Sequence, residues 1–181
     1  MLSAISKWIL RCFGWKIEGH YPHELKKFVI IVIPHTSNWD FPLGVLVRSA
    51  LKAKINYVGK DVLFRPPFGW FFRWLGGYPV NRSKSSHFVD NVVDIFNKEE
   101  QFALTIAPEG TRRKVEKLKS GFYYIALGAQ VPIVMIKFDW GNRTVGIREP
   151  FYPTGNFEAD MEIVKNFYRG VKGKNPQDSF L

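Results

Sequence analysis

Hydrophobic positions along this chain fall into blocks of two kinds. Residues 28–33, Phe-Val-Ile-Ile-Val-Ile, are a continuous β-branched run. That is the pattern of a strand buried on both faces, and Pro34 ends it. Residues 40–52 place Leu43, Val47 and Ala50 or Leu51 on one side of a helix. Residues 55–58 read as a second short strand. Residues 61–75 are apolar, aromatic and helical in part; Pro66-Pro67 breaks or kinks them, and Gly76-Gly77 closes them. Residues 78–80 are briefly extended. Ser85 or Ser86 can cap the next helix, whose Phe88, Val89, Val92, Val93 and Phe96 recur at helical spacing. Residues 102–106 are a strand, 107–117 a loop and 121–129 a helix. Residues 131–138 and 144–148 are strands either side of a Gly141-Asn142 turn. Residues 158–168 form a last amphipathic helix.

Strands alternating with helices imply an α/β fold: a single domain with a mostly parallel central sheet flanked by helices. The domain proper is expected over residues 21–170, after an amphipathic N-terminal segment (1–20) and before a basic, polar, frayed tail (171–181). No repeat, low-complexity tract or linker interrupts it. In the N-terminal segment Leu2, Ile5, Ile9 and Phe13 lie near helical spacing. Trp8 and Leu10 widen that face, and Lys7, Arg11 and Lys16 supply charge. Two readings stand: a helix packed on the domain, or an anchor lying in the plane of a membrane. No small-residue cleavage site marks a signal peptide. No apolar run approaches the roughly 20 residues of a transmembrane helix.

Composition narrows the partners. The 181 residues carry a net charge of +10, which calls for an anionic partner such as nucleic acid, anionic lipid, or a phosphorylated or acidic-carrier substrate. Aromatic residues stand beside basic ones, as in Arg65-Pro-Pro-Phe-Gly-Trp-Phe-Phe-Arg-Trp74. That mixture suits a bilayer interface. The sole cysteine, Cys12, allows neither an internal disulfide nor a cysteine-built zinc site.

In open α/β sheets, sites gather at the carboxyl ends of strands, and three polar clusters are placed there. His35-Thr-Ser-Asn-Trp-Asp40 follows the first strand. Along one helix His35 and Asp40 would lie about 140° apart. With His35 in the preceding loop and Asp40 in the first turn, the chain can fold back and bring them together. A carboxylate on one ring nitrogen fixes the tautomer and leaves the other nitrogen as a base. The same Thr36, Ser37, Asn38 and Asp40 also suit a plain helix start. Ala107-Pro-Glu-Gly-Thr-Arg-Arg113 follows the 102–106 strand. In it Glu109 occupies a turn, Gly110 permits close backbone approach, and Thr111 and Arg112 can bind phosphate oxygens. A solvated basic loop is the alternative. Gly76-Gly-Tyr-Pro-Val-Asn-Arg82 is either a second phosphate contact or a turn with a surface arginine.

Taken together, these blocks resemble the lysophosphatidic acid (1-acylglycerol-3-phosphate) acyltransferases and related glycerolipid acyltransferases. That family carries four blocks in fixed order. His-x4-Asp is matched by His35 and Asp40, the Gly-rich block ending in Arg by residues 76–82, Pro-Glu-Gly-Thr-Arg by residues 108–112, and Val-Pro-Ile-Val by residues 131–134. The resemblance spans residues 28–138. The chain departs from the family pattern at Pro34, where the family usually has Asn; at Asn81, where it usually has Asp; and at Arg113, where it often has Ser. These departures leave His35 and Asp40 intact and bear on the identity of the acceptor.

The resemblance implies acyl transfer from a thioester, acyl-CoA or acyl-carrier protein, to the hydroxyl of a lysophospholipid. His35 would be general base and Asp40 its orienter. Arg82 and Arg112 would bind phosphate, with Thr111 and Gly110 assisting and Glu109 shaping the loop. No metal or organic cofactor is expected: His20 and His23 lack an acidic or Cys set to complete a site. The expected location is the cytoplasmic face of a membrane with an anionic surface, held peripherally or monotopically. Another lysolipid acceptor is the alternative within the enzyme class. A non-catalytic basic module for membranes or nucleic acid is the alternative outside it. No nucleic-acid fold signature is present and no nucleic-acid partner is expected. Neither a Gly-x-Ser-x-Gly elbow nor a Walker loop occurs.

Overall fold

The computed structural model describes residues 2–80 and 88–180. Its elements run in the order α1 (Leu2–Cys12), β1 (Lys16–Glu18), β2 (Lys27–Ile33), α2 (Asp40–Leu51), β3 (Asn56–Lys60), α3 (Gly69–Trp74), β4 (Gly77–Val80), α4 (Phe88–Lys98), β5 (Phe102–Ile106), α5 (Gly121–Gly128), β6 (Ile133–Asp139), β7 (Thr144–Ile147) and α6 (Phe157–Tyr168). The seven strands make one sheet, ordered β1-β7-β6-β2-β5-β3-β4. Every neighbouring pair is parallel except β6 and β7, which form an antiparallel hairpin.

The sheet is central because β2 feeds two cores. Val29, Ile31 and Ile33 point into one cluster with Phe96 of α4, Phe122 and Ile125 of α5, and Val164 and Tyr168 of α6. Phe28 and Ile30 point into the other with Leu10 of α1 and Leu43 and Val47 of α2. A period of two turns consecutive apolar residues to opposite faces, so an unbroken run has no wet side. Each fully buried Ile or Val contributes roughly 1.5–3 kcal/mol.

The expected strands and helices are found within a residue or two of their boundaries. One strand was missed. β1 has only three residues, two of them charged, and is a strand because β7 pairs with it (Lys16 beside Thr144). The expected cap at Ser85 or Ser86 lies outside the described residues.

Both ends differ from a simple reading of their sequence. Helix α1 packs on α2 through its small-residue side. The Ser3 hydroxyl donates to the Ala50 carbonyl at 3.0 Å, the Ser6 hydroxyl to the Ser49 hydroxyl at 2.8 Å, and Leu10 is buried. Its apolar face, with Leu2, Ile5 and Trp8, is left exposed together with Phe13 beyond its end. The described part of the tail, residues 171–180, is not frayed. Val171 and Phe180 are buried, Phe180 within the α4–α6 core. The Gly173 amide donates to the Ser179 hydroxyl at 2.9 Å, and the Lys172 carbonyl accepts from the Trp140 amide at 2.8 Å. Apolar anchors hold a segment whose composition alone is polar and basic.

Candidate functional site

The strand order puts the site together. β2 lies between β5 and β6, with Ile31 beside Ile106 on one flank and Ile33 beside Lys137 on the other. The loop leaving β2 therefore meets the loop leaving β5 and the end of β6, all at the carboxyl edge.

His35 stands in the loop after β2 and Asp40 opens α2. His35 Nδ1 is 3.2 Å from Asp40 Oδ2. The same oxygen accepts the amides of Thr36 and Ser37, each at 2.9 Å, and Oδ1 accepts Trp140 Nε1–H at 2.8 Å. Asp40 is 3% exposed, so it is a buried carboxylate with both oxygens in use. It folds the 35–40 loop around itself as well as holding the imidazole. The two readings of this cluster, helix start and orienter, are thus one arrangement. The His35 side chain is 27% exposed. With Nδ1 on the carboxylate, Nε2 is the nitrogen able to take a proton.

Glu109 comes from the β5 loop and is also 3% exposed. Its Oε2 accepts the His35 amide at 2.7 Å. Burial pushes the Glu109 carboxyl up to about 7, opposed by the His35 amide and the His35 ring and assisted by Asp40. Glu109 therefore ties the two loops together from beneath. Gly110 sits at φ +67°, and its amide donates to the Ala107 carbonyl at 3.1 Å. A Cβ there would lie 2.5 Å from Lys119 Nζ. Its amide is committed to the turn, so the glycine serves turn shape and close approach. Thr111 and Arg112 are exposed on the same loop, where the Thr111 hydroxyl accepts the Arg113 amide at 3.4 Å. Arg82 lies outside the described residues. His20 Nε2 is 3.7 Å from Glu24 at the surface.

A groove of about 240 Å³ opens beside His35 and Asp40. Its lining includes Phe41, Gly44, Val45 and Val47 of α2 together with Ile55, Tyr57 and Leu75. Arg48 lies in its lining, with its guanidinium donating to the Leu75 carbonyl at 2.7 Å. The 61–75 stretch is largely surface: Phe64 is buried, whereas Val62, Leu63, Phe68, Trp70, Phe71 and Trp74 are exposed.

Three contacts escaped the sequence reading. Trp140 lies 100 positions from Asp40. Asn175 donates its amide to Thr36 Oγ1 at 3.2 Å and its Nδ2 to the Thr36 carbonyl at 2.9 Å. The Tyr168 hydroxyl reaches the Ile31 carbonyl at 2.9 Å and the Ile136 carbonyl at 3.3 Å. No local pattern marks any of them.

Among proteins of known activity, the chain is 29% identical over 170 residues to human 1-acyl-sn-glycerol-3-phosphate acyltransferase beta, covering 87% of this chain and 60% of that one. It is 27% identical over 133 residues to the 1-acyl-sn-glycerol-3-phosphate acyltransferase of Streptococcus pneumoniae, covering 68% and 49% respectively. The chain thus spans about half to three-fifths of the length of these relatives. The crystal structure of the 1-acyl-sn-glycerophosphate acyltransferase PlsC from Thermotoga maritima shares the fold. It superimposes with a TM-score of 0.57 at 20% identity, over 94% of this chain and 75% of that one. Residues 16–138, which hold β1 through β5, β6 but for its last residue and the whole His35–Asp40–Glu109 arrangement, match the Acyltransferase family, and the chain belongs to that family.

Proposed function

We propose that this chain transfers a fatty acyl group from a thioester, acyl-CoA or acyl-carrier protein, to the free hydroxyl of a lysophospholipid such as 1-acylglycerol-3-phosphate. The observation that carries the reading is the His35–Asp40 pair: a partly exposed imidazole held through Nδ1 by a buried carboxylate, beside an apolar groove. The names of the relatives support the acceptor.

His35 Nε2 takes the acceptor hydroxyl proton as that oxygen attacks the thioester carbonyl. The tetrahedral intermediate collapses by breaking the carbon–sulfur bond, and the thiolate leaves with the proton returned from Nε2. Asp40 keeps Nε2 aimed outward and stabilises the imidazolium. General base catalysis of this kind contributes roughly 10²- to 10⁴-fold, and holding both substrates together adds to it. Arg112, with Arg82, offers guanidinium groups to the acceptor phosphate, and Thr111 a hydroxyl. Glu109 and Gly110 shape the loop that carries them. The groove offers an acyl chain an apolar bed. Proton transfer and charge stabilisation are both met by side chains, so the reaction calls for no resident metal or organic cofactor.

The work takes place at the cytoplasmic face of an anionic bilayer, in this reading. A net charge of +10 and the exposed Trp8, Trp70 and Trp74 support it.

His35→Ala is the test, assayed by thiol release from acyl-CoA with 1-acylglycerol-3-phosphate. A loss of about 10²-fold or more in kcat is expected. Wild-type turnover by the folded variant would overturn the mechanism. Product analysis across several lysolipids identifies the acceptor.

A further inference from the structure

The Asp40 carboxylate has two oxygens held by different parts of the chain. Oδ2 faces its own loop and takes the Thr36 and Ser37 amides and His35 Nδ1. Oδ1 takes the indole N–H of Trp140 at 2.8 Å. Rotation about the Cβ–Cγ bond of an aspartate is soft, so contacts at one oxygen leave the carboxylate plane loosely set. A donor on the second oxygen sets it. Asp40 is 3% exposed, so water cannot readily replace that donor.

Trp140 is itself held on three sides. Its ring meets Trp15 edge-on, with centroids 5.0 Å apart at 88°. Its amide donates to the Lys172 carbonyl at 2.8 Å. Lys174 Nζ lies 4.6 Å from the Trp140 ring and 5.2 Å from Trp39, which belongs to the 35–40 loop. Such a cation over aromatic faces is attractive. One residue further on, Asn175 donates twice to Thr36. Gly173 passes so close that a Cβ would lie 2.5 Å from Thr36 Oγ1. Residues 172–175 thus grip Trp140 and the His35–Asp40 loop at once.

We propose that Trp140 is a positioning residue for the reaction at His35: its indole N–H fixes the Asp40 carboxylate, and the tail at residues 172–175 clamps Trp140 and the 35–40 loop in register. The role rests on the acyl-transfer reading for its kinetic consequence, but not for its structural one. Trp140 does not line the groove beside His35; it acts through Asp40, which acts through His35.

Trp140→Phe tests this, because it removes the N–H and keeps an aromatic ring between Trp15 and Lys174. Two readouts are taken on the full chain. The first is the ring ¹⁵N spectrum of His35, which reports the tautomer without any substrate. The second is turnover with acyl-CoA and 1-acylglycerol-3-phosphate. In the variant the Nδ1–H tautomer is expected to give way to a mixture. The kcat is expected to fall about tenfold with KM changed less than about twofold. On an Asp40→Ala background the same substitution is expected to cost nothing further, since its route is already gone. Unchanged ring nitrogens in Trp140→Phe, or losses that multiply in the double variant, overturn the proposal. If the wild-type protein turns over no acyl donor, the acyl-transfer reading fails, while the spectrum still decides the role of Trp140. Should Trp140→Phe not fold, Lys174→Met loosens the clamp from outside. It is expected to shift the His35 spectrum the same way, and an unchanged spectrum there overturns the clamp.

Discussion

Glu109 shows how much a residue's role depends on what surrounds it. In the sequence it is an acidic group in a basic loop; in the fold it is buried under His35, with its carboxyl pushed up to about 7. Unfolding returns it to its ordinary value near 4.5. Between those two values the folded protein holds a proton that the unfolded chain gives up. This group's contribution to stability is therefore intact at low pH and falls as pH rises through that window, by about 3 kcal/mol in all. Glu109→Gln never ionises and can still accept the His35 amide. Its melting temperature relative to wild type is expected to rise between about pH 5 and pH 8, by several degrees. Parallel melting curves across that range would show that Glu109 titrates as an exposed acid does. The fate of Gly110 is a lesson of the same scale. Its amide, open to a phosphate on paper, is spent on the Ala107 carbonyl.

Among the elements, α6 and β2 depend on each other in a way their patterns do not express. α6 ends in Tyr168, fully buried, with its hydroxyl against the carbonyls of Ile31 and Ile136. Burial holds that phenol well above its ordinary pKa, so it stays a neutral donor. Tyr168→Phe removes the donor and keeps the ring. It is expected to cost about 1–2 kcal/mol, read as a drop of a few degrees in thermal unfolding. No drop would mean that the helix is held by ring packing alone. β1 and β2 mark the limits of pattern reading at this scale. β2 announces itself through six consecutive apolar residues, because a doubly buried strand must be apolar on both faces. β1 does not, because a three-residue edge strand is defined by its partner β7.

Over the whole molecule, aromatic exposure is the property that demands an explanation. Trp70 and Trp74 on α3 are 71% and 73% exposed, and Trp8 on α1 is 66% exposed. In the proposed reading, large aromatics left in water on a chain of charge +10 are the groups that would meet anionic lipid. No described helix is long and apolar enough to cross a membrane. The combined variant Trp8→Ser, Trp70→Ser and Trp74→Ser is expected to weaken binding to phosphatidylserine-containing vesicles about tenfold or more in a flotation assay. Its melting temperature should stay within about 2 °C of wild type. Raising salt from about 0.05 to 0.5 M should weaken wild-type binding as well, through screening. Equal flotation of variant and wild type would remove these tryptophans from the membrane contact.

Patterning along the chain was enough to set the α/β class, the strands that carry the core, and the placing of His35 and Glu109 at the ends of two of them. These follow from period-two and period-3.6 patterning and from strong local signals at Pro34 and residues 108–112. That those two strands are neighbours emerged in the fold, since strand order is set by crossovers that no local window contains. The fold brought Trp140 across 100 positions to the second oxygen of Asp40, and turned the basic tail into a clamp through the burial of Val171 and Phe180. A hydrogen bond between distant residues leaves no periodic trace in either segment. The His35–Asp40 pair was therefore legible in the sequence, and the contacts that hold it in place were not.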